Sequence, residues 1–454
     1  MARSTTSTRS TASSSTKSGS RQALSSPAVF WTVLSVMGAA LFALLMQRYY
    51  GMPAGIAAES NDVQLYRKAG EALLGGAIPY RDFFIEYPPA SLLSFVFPAL
   101  LSRSLGGFAA IFAAEMSLFL VASLALVALT ARALKRSPFA PALIFAIAAL
   151  ILYPVATVRY DPFAALTLAA AAWSVAASRP VVGYAALGLG AAAKLVPVLA
   201  VPALALCWKG RDSGSLSSLI RREAPAIIVV FCGIVGFFFG AALLLGGGGF
   251  VQSFAYHSER GLQLESVWTS ALMVLGWVRD ITFEFGAFDV SGRGTGLLSA
   301  LSLPVTLALL GLTALLMYRE HRSGRLLPAD FPRYAAAFVL AFMIASKVLS
   351  PQYMLWLLPL VPLAAGGLAG VGVAAIFLVA CWTTTQIYPT HYGQLMDLDS
   401  GAVALLAVRN LLLVMLWALM LVLPSSAHPA GYKAPKRAAK KAPKRAAGVE
   451  STRT

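Results

Sequence analysis

Long apolar runs alternate with short polar connections along almost the whole chain. Runs at 30–46, 108–131, 226–245, 297–318 and 402–423 reach or approach the roughly 20 residues a helix needs to cross a bilayer. The pattern predicts an all-α polytopic membrane protein, a bundle of about 11 to 13 transmembrane or partly spanning helices. No strand is needed, because each helix satisfies its own backbone. Two stretches break the regularity. The run at 91–101 is too short to span comfortably and reads as dipping into the outer leaflet. The stretch 181–207 is interrupted at Lys194-Leu195-Val196-Pro197. Proline removes a backbone donor and clashes with the preceding turn, so two half-helices are expected there.

The polar interruption that follows the first apolar run is SNDVQLYRKAGEALLGGAIPYRDFFIEYPPAS, residues 60–91. Together with Glu59 it holds five of the chain's 19 acidic residues. Loops of this length are usually either functional or disordered. The aromatic content, from Tyr66 through Tyr80, Phe83 and Phe84 to Tyr87, argues against disorder.

Composition supports the membrane assignment: 58% of residues are hydrophobic and 12% charged, about half the charged share of a soluble domain. The net charge of +17 is concentrated at the ends. Residues 1–27 and 425–454 read as disordered basic cytoplasmic tails that touch anionic lipid, and 28–424 as the membrane domain. Nucleic-acid binding is not expected of such tails. With the N-terminus inside, the loops 47–88 and 247–295 lie outside, and most acids fall outside while basic clusters fall inside. Cys207, Cys232 and Cys381 all lie in apolar runs, with no CxxC or Cys/His cluster, so neither a disulfide frame nor a zinc site is indicated.

Each candidate functional residue also has a bland reading. Asp62 shares a helix face with Tyr66 at i+4 and suits a general base, yet Ser60, Asn61 and Asp62 all suit a helix N-cap. Arg81 beside Asp82 reads as a local ion pair at least as readily as a catalytic element. Glu86 precedes Tyr87-Pro88-Pro89, which forces an extended entry into the next apolar run. Arg159 and Asp161 sit between two apolar runs, where ionisable groups are usually functional or paired. Lys194 and Lys347 are embedded in apolar sequence near prolines; snorkelling explains either alone, but with Arg159 they suggest a cationic site for a lipid phosphate. The segment 254–268, FAYHSERGLQLESVW, reads as an amphipathic surface helix carrying His257 and Arg260. The glycines at 246–249 read as a flexible turn and lack the Lys-Ser/Thr of a phosphate-binding loop.

The order of these signals is more specific than any one of them. An acid after the first helix is followed by Pro79-Tyr80-Arg81-Asp82, Glu86-Tyr87-Pro88-Pro89 and Arg159-Tyr160-Asp161-Pro162. Then come Lys194-Leu195-Val196-Pro197, Ser350-Pro351-Gln352-Tyr353 and Trp356-Leu357-Leu358-Pro359. Over residues 28–424 this order resembles the GT-C glycosyltransferases, most closely family 87, the polyprenyl-phosphate-mannose-dependent mannosyltransferases. The resemblance implies a plasma (inner) membrane enzyme, active at the outer face, that moves a hexose from a polyprenyl-phosphate donor to a lipid or glycan acceptor. It implies Asp62 as catalytic base with inversion at the anomeric carbon, and Asp82 and Glu86 as further acids of the catalytic loop. Arg159, Lys194, Arg260 and Lys347 would hold the leaving phosphate. Gln352 and Tyr353 would orient sugar or phosphate oxygens, with Tyr66, Arg81, Asp161 and His257 as further binding residues. No cofactor is implied. No Asp-x-Asp pair follows the first helix to indicate a divalent metal, although Asp82 and Glu86 leave room for one. A lipid-carrier transporter or flippase of envelope synthesis is the alternative, since it too needs a cationic intramembrane site.

Overall fold

The computed structural model describes residues 26–58, 60–208, 216–284 and 286–423. The expected basic tails lie outside the described residues, apart from the short stretch that leads into the first helix. Among the described residues, six helices are long and apolar enough to cross a membrane: Pro27–Tyr50, Leu105–Ala133, Ile220–Gly246, Thr295–Arg322, Gly367–Thr390 and Ser400–Val422. Five shorter apolar helices accompany them: Pro89–Leu101, Phe139–Ile151, Asp161–Ala176, Pro180–Ala193 and Val196–Cys207. The protein is a helical integral membrane protein.

The shorter helices form the middle of the bundle. Asp161–Ala176 packs on Pro180–Ala193 and on Leu105–Ala133, and its many alanines allow close approach. Gly190 marks the tightest point, where a Cβ would fall 2.2 Å from the Thr167 hydroxyl. Phe331–Ala345 is buried along almost its whole length. The long Ile220–Gly246 helix is peripheral instead, exposing Ile228, Val229, Phe237 and Leu244.

The break at Lys194 is present. The helix ends at Ala193, Lys194 is extended, and a 3-10 turn over Val196–Ala200 leads into Val201–Cys207. The apolar run at 91–101 is likewise short, a 3-10 turn at Pro89–Leu92 followed by the nine-residue helix Leu93–Leu101.

Two expectations need correction. The first is the absence of strands: β1 (Leu262–Gln263), β2 (Val278–Glu284) and β3 (Ala287–Gly292) form an antiparallel sheet in the order β1-β3-β2. Polar and apolar residues alternate from Asp280 to Glu284, and Gly286 turns the hairpin at φ +71°. The second is the single surface helix at 254–268. The helix stops at Glu259, because the Gly261 N–H is taken by the Asp289 carboxylate at 2.8 Å and the chain then pairs with β3. A separate helix begins at Val267.

The glycines at 246–249 serve close approach. Gly247 turns the chain between two helices, and a Cβ on Gly249 would fall 1.8 Å from the Tyr80 carbonyl oxygen. They let the polar loop after the first helix pack against the body of the bundle.

Candidate active site

The Asn61–Leu74 helix begins where the polar loop meets the bundle. Ser60 is its N-cap, accepting from the Val63 N–H at 3.4 Å. Asp62 is therefore not needed as the cap, and its carboxylate lines a cavity of about 730 Å3. The Tyr87 hydroxyl donates to Asp62 Oδ1 at 3.1 Å, and Arg159 forms an ion pair with Oδ2. Tyr87 is placed by the prolines behind it and by the Tyr80 hydroxyl, which donates to its carbonyl at 2.7 Å.

Asp161 starts its helix, where the exposed peptide N–H groups favour negative charge. Its Oδ1 accepts from Trp356 Nε1 at 2.7 Å and pairs with Lys194 Nζ at 2.7 Å. The helix break at Lys194 brings its ammonium over the Tyr160 ring at 4.4 Å and the Trp356 ring at 5.6 Å. Tyr353 stacks on Trp356 with centroids 4.0 Å apart. Asp161 itself is 1% exposed and lies behind the cavity wall, whereas Lys194, Tyr353, Gln352 and Trp356 line it.

Arg260, just past the end of its helix, pairs with Glu86 at 2.7 Å, and both line the cavity. Lys347 lines it too. Burial pushes the Lys347 ammonium down and the Asp289 carboxyl up, and the opposite charge of each resists the other's shift. Gln263 fastens this side. Its N–H donates to the Lys347 carbonyl, its Oε1 accepts from Leu349 N, and its Nε2 donates to Ser350 Oγ. The Ser350-Pro351-Gln352-Tyr353 segment is thereby fixed at the cavity edge. Four basic side chains, Arg159, Lys194, Arg260 and Lys347, face one cavity together with three acidic ones, Asp62, Glu86 and Glu265.

Other candidates lie elsewhere. Arg81 and Asp82 pair with each other at 2.9 Å in the exposed loop and do not line the cavity. Arg81 holds the Asp82 carboxyl below the usual range, helped by the Ile78 N–H. Tyr66 is buried in an aromatic cluster, stacked on Phe95 at 4.4 Å and edge-on to Tyr87 and Tyr160. The side chain of His257 lies outside the described residues.

Several lining residues carry no role in the sequence reading: Glu265, Gln263, Phe288, Tyr388 and Tyr392. Glu265 is 1% exposed, and burial pushes its carboxyl up to about 7 against the pull of Arg409. Arg409 is a signal that was available, an arginine in the middle of the apolar run 402–423.

A helical membrane protein with a cavity walled by ion pairs and aromatic rings, fed by a structured polar loop, has the build of a membrane group-transfer enzyme. Residues 84–351 match the profile of Glycosyltransferase family 87, and the chain belongs to that family. It is a membrane glycosyltransferase. Two solved structures are similar. One is ArnT from Cupriavidus metallidurans in the apo state, 14% identical with a TM-score of 0.47, covering 87% of this chain and 77% of that one. The other is ArnT from the same organism bound to undecaprenyl phosphate, 15% identical with a TM-score of 0.47, covering 86% and 76%. No curated protein matches the chain.

Proposed function

We propose that this protein transfers a hexose, mannose by the family resemblance, from a polyprenyl-phosphate donor to a hydroxyl of a lipid or glycan acceptor at the outer face of the plasma membrane. The observation that carries the reading is the Asp62 carboxylate, spared from capping and held at the cavity wall by Tyr87 and Arg159.

In the resting arrangement Arg159 and Arg260 are each matched by an acid. A donor phosphate competes for them. As Arg159 turns to the phosphate, Asp62 loses its strongest partner and is free to meet the acceptor hydroxyl. The acceptor hydroxyl then gives its proton to Asp62, and its oxygen bonds to the anomeric carbon from the face opposite the phosphate. The bond from that carbon to the phosphate oxygen breaks, and its electron pair leaves with the polyprenyl phosphate. The charge developing there meets Arg159, Arg260, Lys347 and the N–H groups of Lys194 not used by Asp161. On this reading side chains supply the positive charge, and inversion follows from the opposed approach.

The test is transfer of labelled mannose from polyprenyl-phosphate mannose in proteoliposomes holding the full chain and a membrane-lipid extract as acceptor. Asp62→Asn is expected to lower transfer about a thousandfold, as loss of a general base does, without changing the melting temperature by more than a degree or two. A transporter of the same carrier would keep moving it in Asp62→Asn, and that result would sink the enzymatic reading for this site.

A further inference from the structure

The part of the cavity beside the last membrane helix is not used by the chemistry above. Glu265 lines it, almost wholly buried, and its Oε2 has no hydrogen-bond partner among the described residues. Arg409 Nη2 stands 3.5 Å from that oxygen, near enough to balance charge and too far for a good hydrogen bond. What Arg409 and Asn410 do instead is hold the backbone. Arg409 Nη2 donates to the Glu265 carbonyl at 2.8 Å, and Asn410 Nδ2 donates to the Ser266 carbonyl at 3.2 Å. The Glu265 backbone is thus fastened at the cavity wall, and its side chain lines the cavity with acceptor capacity unspent.

Three rings stand with it on the lining. Phe288, Tyr388 and Tyr392 pack on one another, with centroids 5.8 Å apart for Phe288–Tyr392 and 5.3 Å for Tyr388–Tyr392. Glu265 and Tyr392 line the same cavity as the Asp62–Arg159 pair. A buried carboxylate oxygen that makes no hydrogen bond is costly, and such atoms in native proteins are answered by a ligand, a water or an ion. A carboxylate acceptor, a phenol and flat apolar rings together suit a hexose ring, with polar hydroxyls at its edge and apolar C–H faces.

We propose that Glu265 and Tyr392, backed by Arg409 and Asn410, form a subsite for a hexose ring, with Glu265 accepting hydrogen bonds from neighbouring ring hydroxyls. The inference rests on the glycosyltransferase reading and assigns that cavity its sugar-selecting corner. Glu265 is a specificity residue here, and Arg409 and Asn410 are positioning residues.

Binding to the full chain in nanodiscs tests it, with three probes: polyprenyl-phosphate mannose, bare polyprenyl phosphate and methyl α-mannoside. The affinity difference between the first two isolates the sugar. If the donor ring occupies the corner, Glu265→Gln removes about tenfold of that difference, the loss expected for a hydrogen bond to a buried carboxylate, and leaves bare polyprenyl phosphate unchanged. If the acceptor ring occupies it, the difference stays and methyl α-mannoside weakens by a similar factor. Tyr392→Phe, which keeps the ring, is expected to shift the same probe a few-fold, and it decides the matter should Glu265→Gln not fold. Unchanged affinity for all three probes in a folded variant overturns the subsite, as does an equal loss for bare and sugar-bearing lipid. A wild-type chain that binds polyprenyl phosphate no better than polyprenol would sink the donor reading; the methyl α-mannoside result still judges the subsite.

Discussion

The Phe331–Ala345 helix joins two regions with buried arginines that behave in opposite ways. At its start, Arg333 is saturated. Nε and Nη2 meet Asp330, Nη2 also meets Glu320, and Nη1 donates to the Met420 and Leu423 carbonyls. Asp330 in turn accepts from the Leu327 N–H. Past its other end, Lys347 opens on the cavity, where Arg260 Nε and Glu265 Oε2 have no hydrogen-bond partners among the described residues. The same residue types serve as a clamp at one end and as a receptor at the other. The difference lies in whether every polar atom is already answered.

Breaking the clamp has the largest expected effect. Arg333→Leu leaves Asp330 buried without its cation and should cost about 3–5 kcal/mol of stability. Thermal unfolding of the purified chain checks it, and the protein that remains folded should bind donor with unchanged affinity. On the cavity side the expected pattern is reversed. Arg260→Gln should weaken donor binding about tenfold, by loss of a charge-assisted contact to phosphate, and barely move the melting temperature. Should Arg260→Gln instead unfold the protein while donor affinity holds, the Arg260–Glu86 pair belongs with the clamp.

The smallest effect concerns Asp289. Burial raises its carboxyl in the folded state, so its contribution to folding is fully present at acid pH and is lost as pH rises through the folded pKa. Asp289→Asn keeps an acceptor for the Gly261 N–H and removes the buried charge. At pH 7 the variant should be as stable as the parent or slightly more so, with any advantage shrinking at acid pH. Melting curves at the two pH values decide this.

Much of the bundle was legible in the sequence, because a membrane helix writes its length and apolarity directly into the chain. The runs at 30–46, 108–131 and 402–423 lie within Pro27–Tyr50, Leu105–Ala133 and, to within a residue, Ser400–Val422. Pro197 likewise announced the break at Lys194. The sheet was missed because hydropathy hides short strands inside a polar loop, although the alternation from Asp280 to Glu284 and the Gly286 turn were readable. Motif order singled out Arg159 and Lys194, and local setting singled out Arg260 and Lys347, but neither said anything of partners. Arg159 with Asp62, Lys194 with Asp161 and Arg260 with Glu86 are long-range pairings, and spacing hints at none of them. Glu265 and Arg409 meet across 144 positions, and only the anomaly of an arginine in an apolar span pointed there.

Exposure ranks the cavity pairs by how readily they open. The Asp62 side chain is 30% exposed, whereas Asp161 beside Lys194 is 1% exposed and also holds Trp356. The central claim is that the Asp62–Arg159 pair opens onto the donor phosphate while the Lys194–Asp161 pair stays. A structure of the full chain with bound polyprenyl phosphate tests it most directly. The account predicts a phosphate oxygen about 2.8 Å from the Arg159 guanidinium, Asp62 released from it, and Lys194 still on Asp161. Phosphate bound away from Arg159, with the Asp62–Arg159 pair closed, would contradict it.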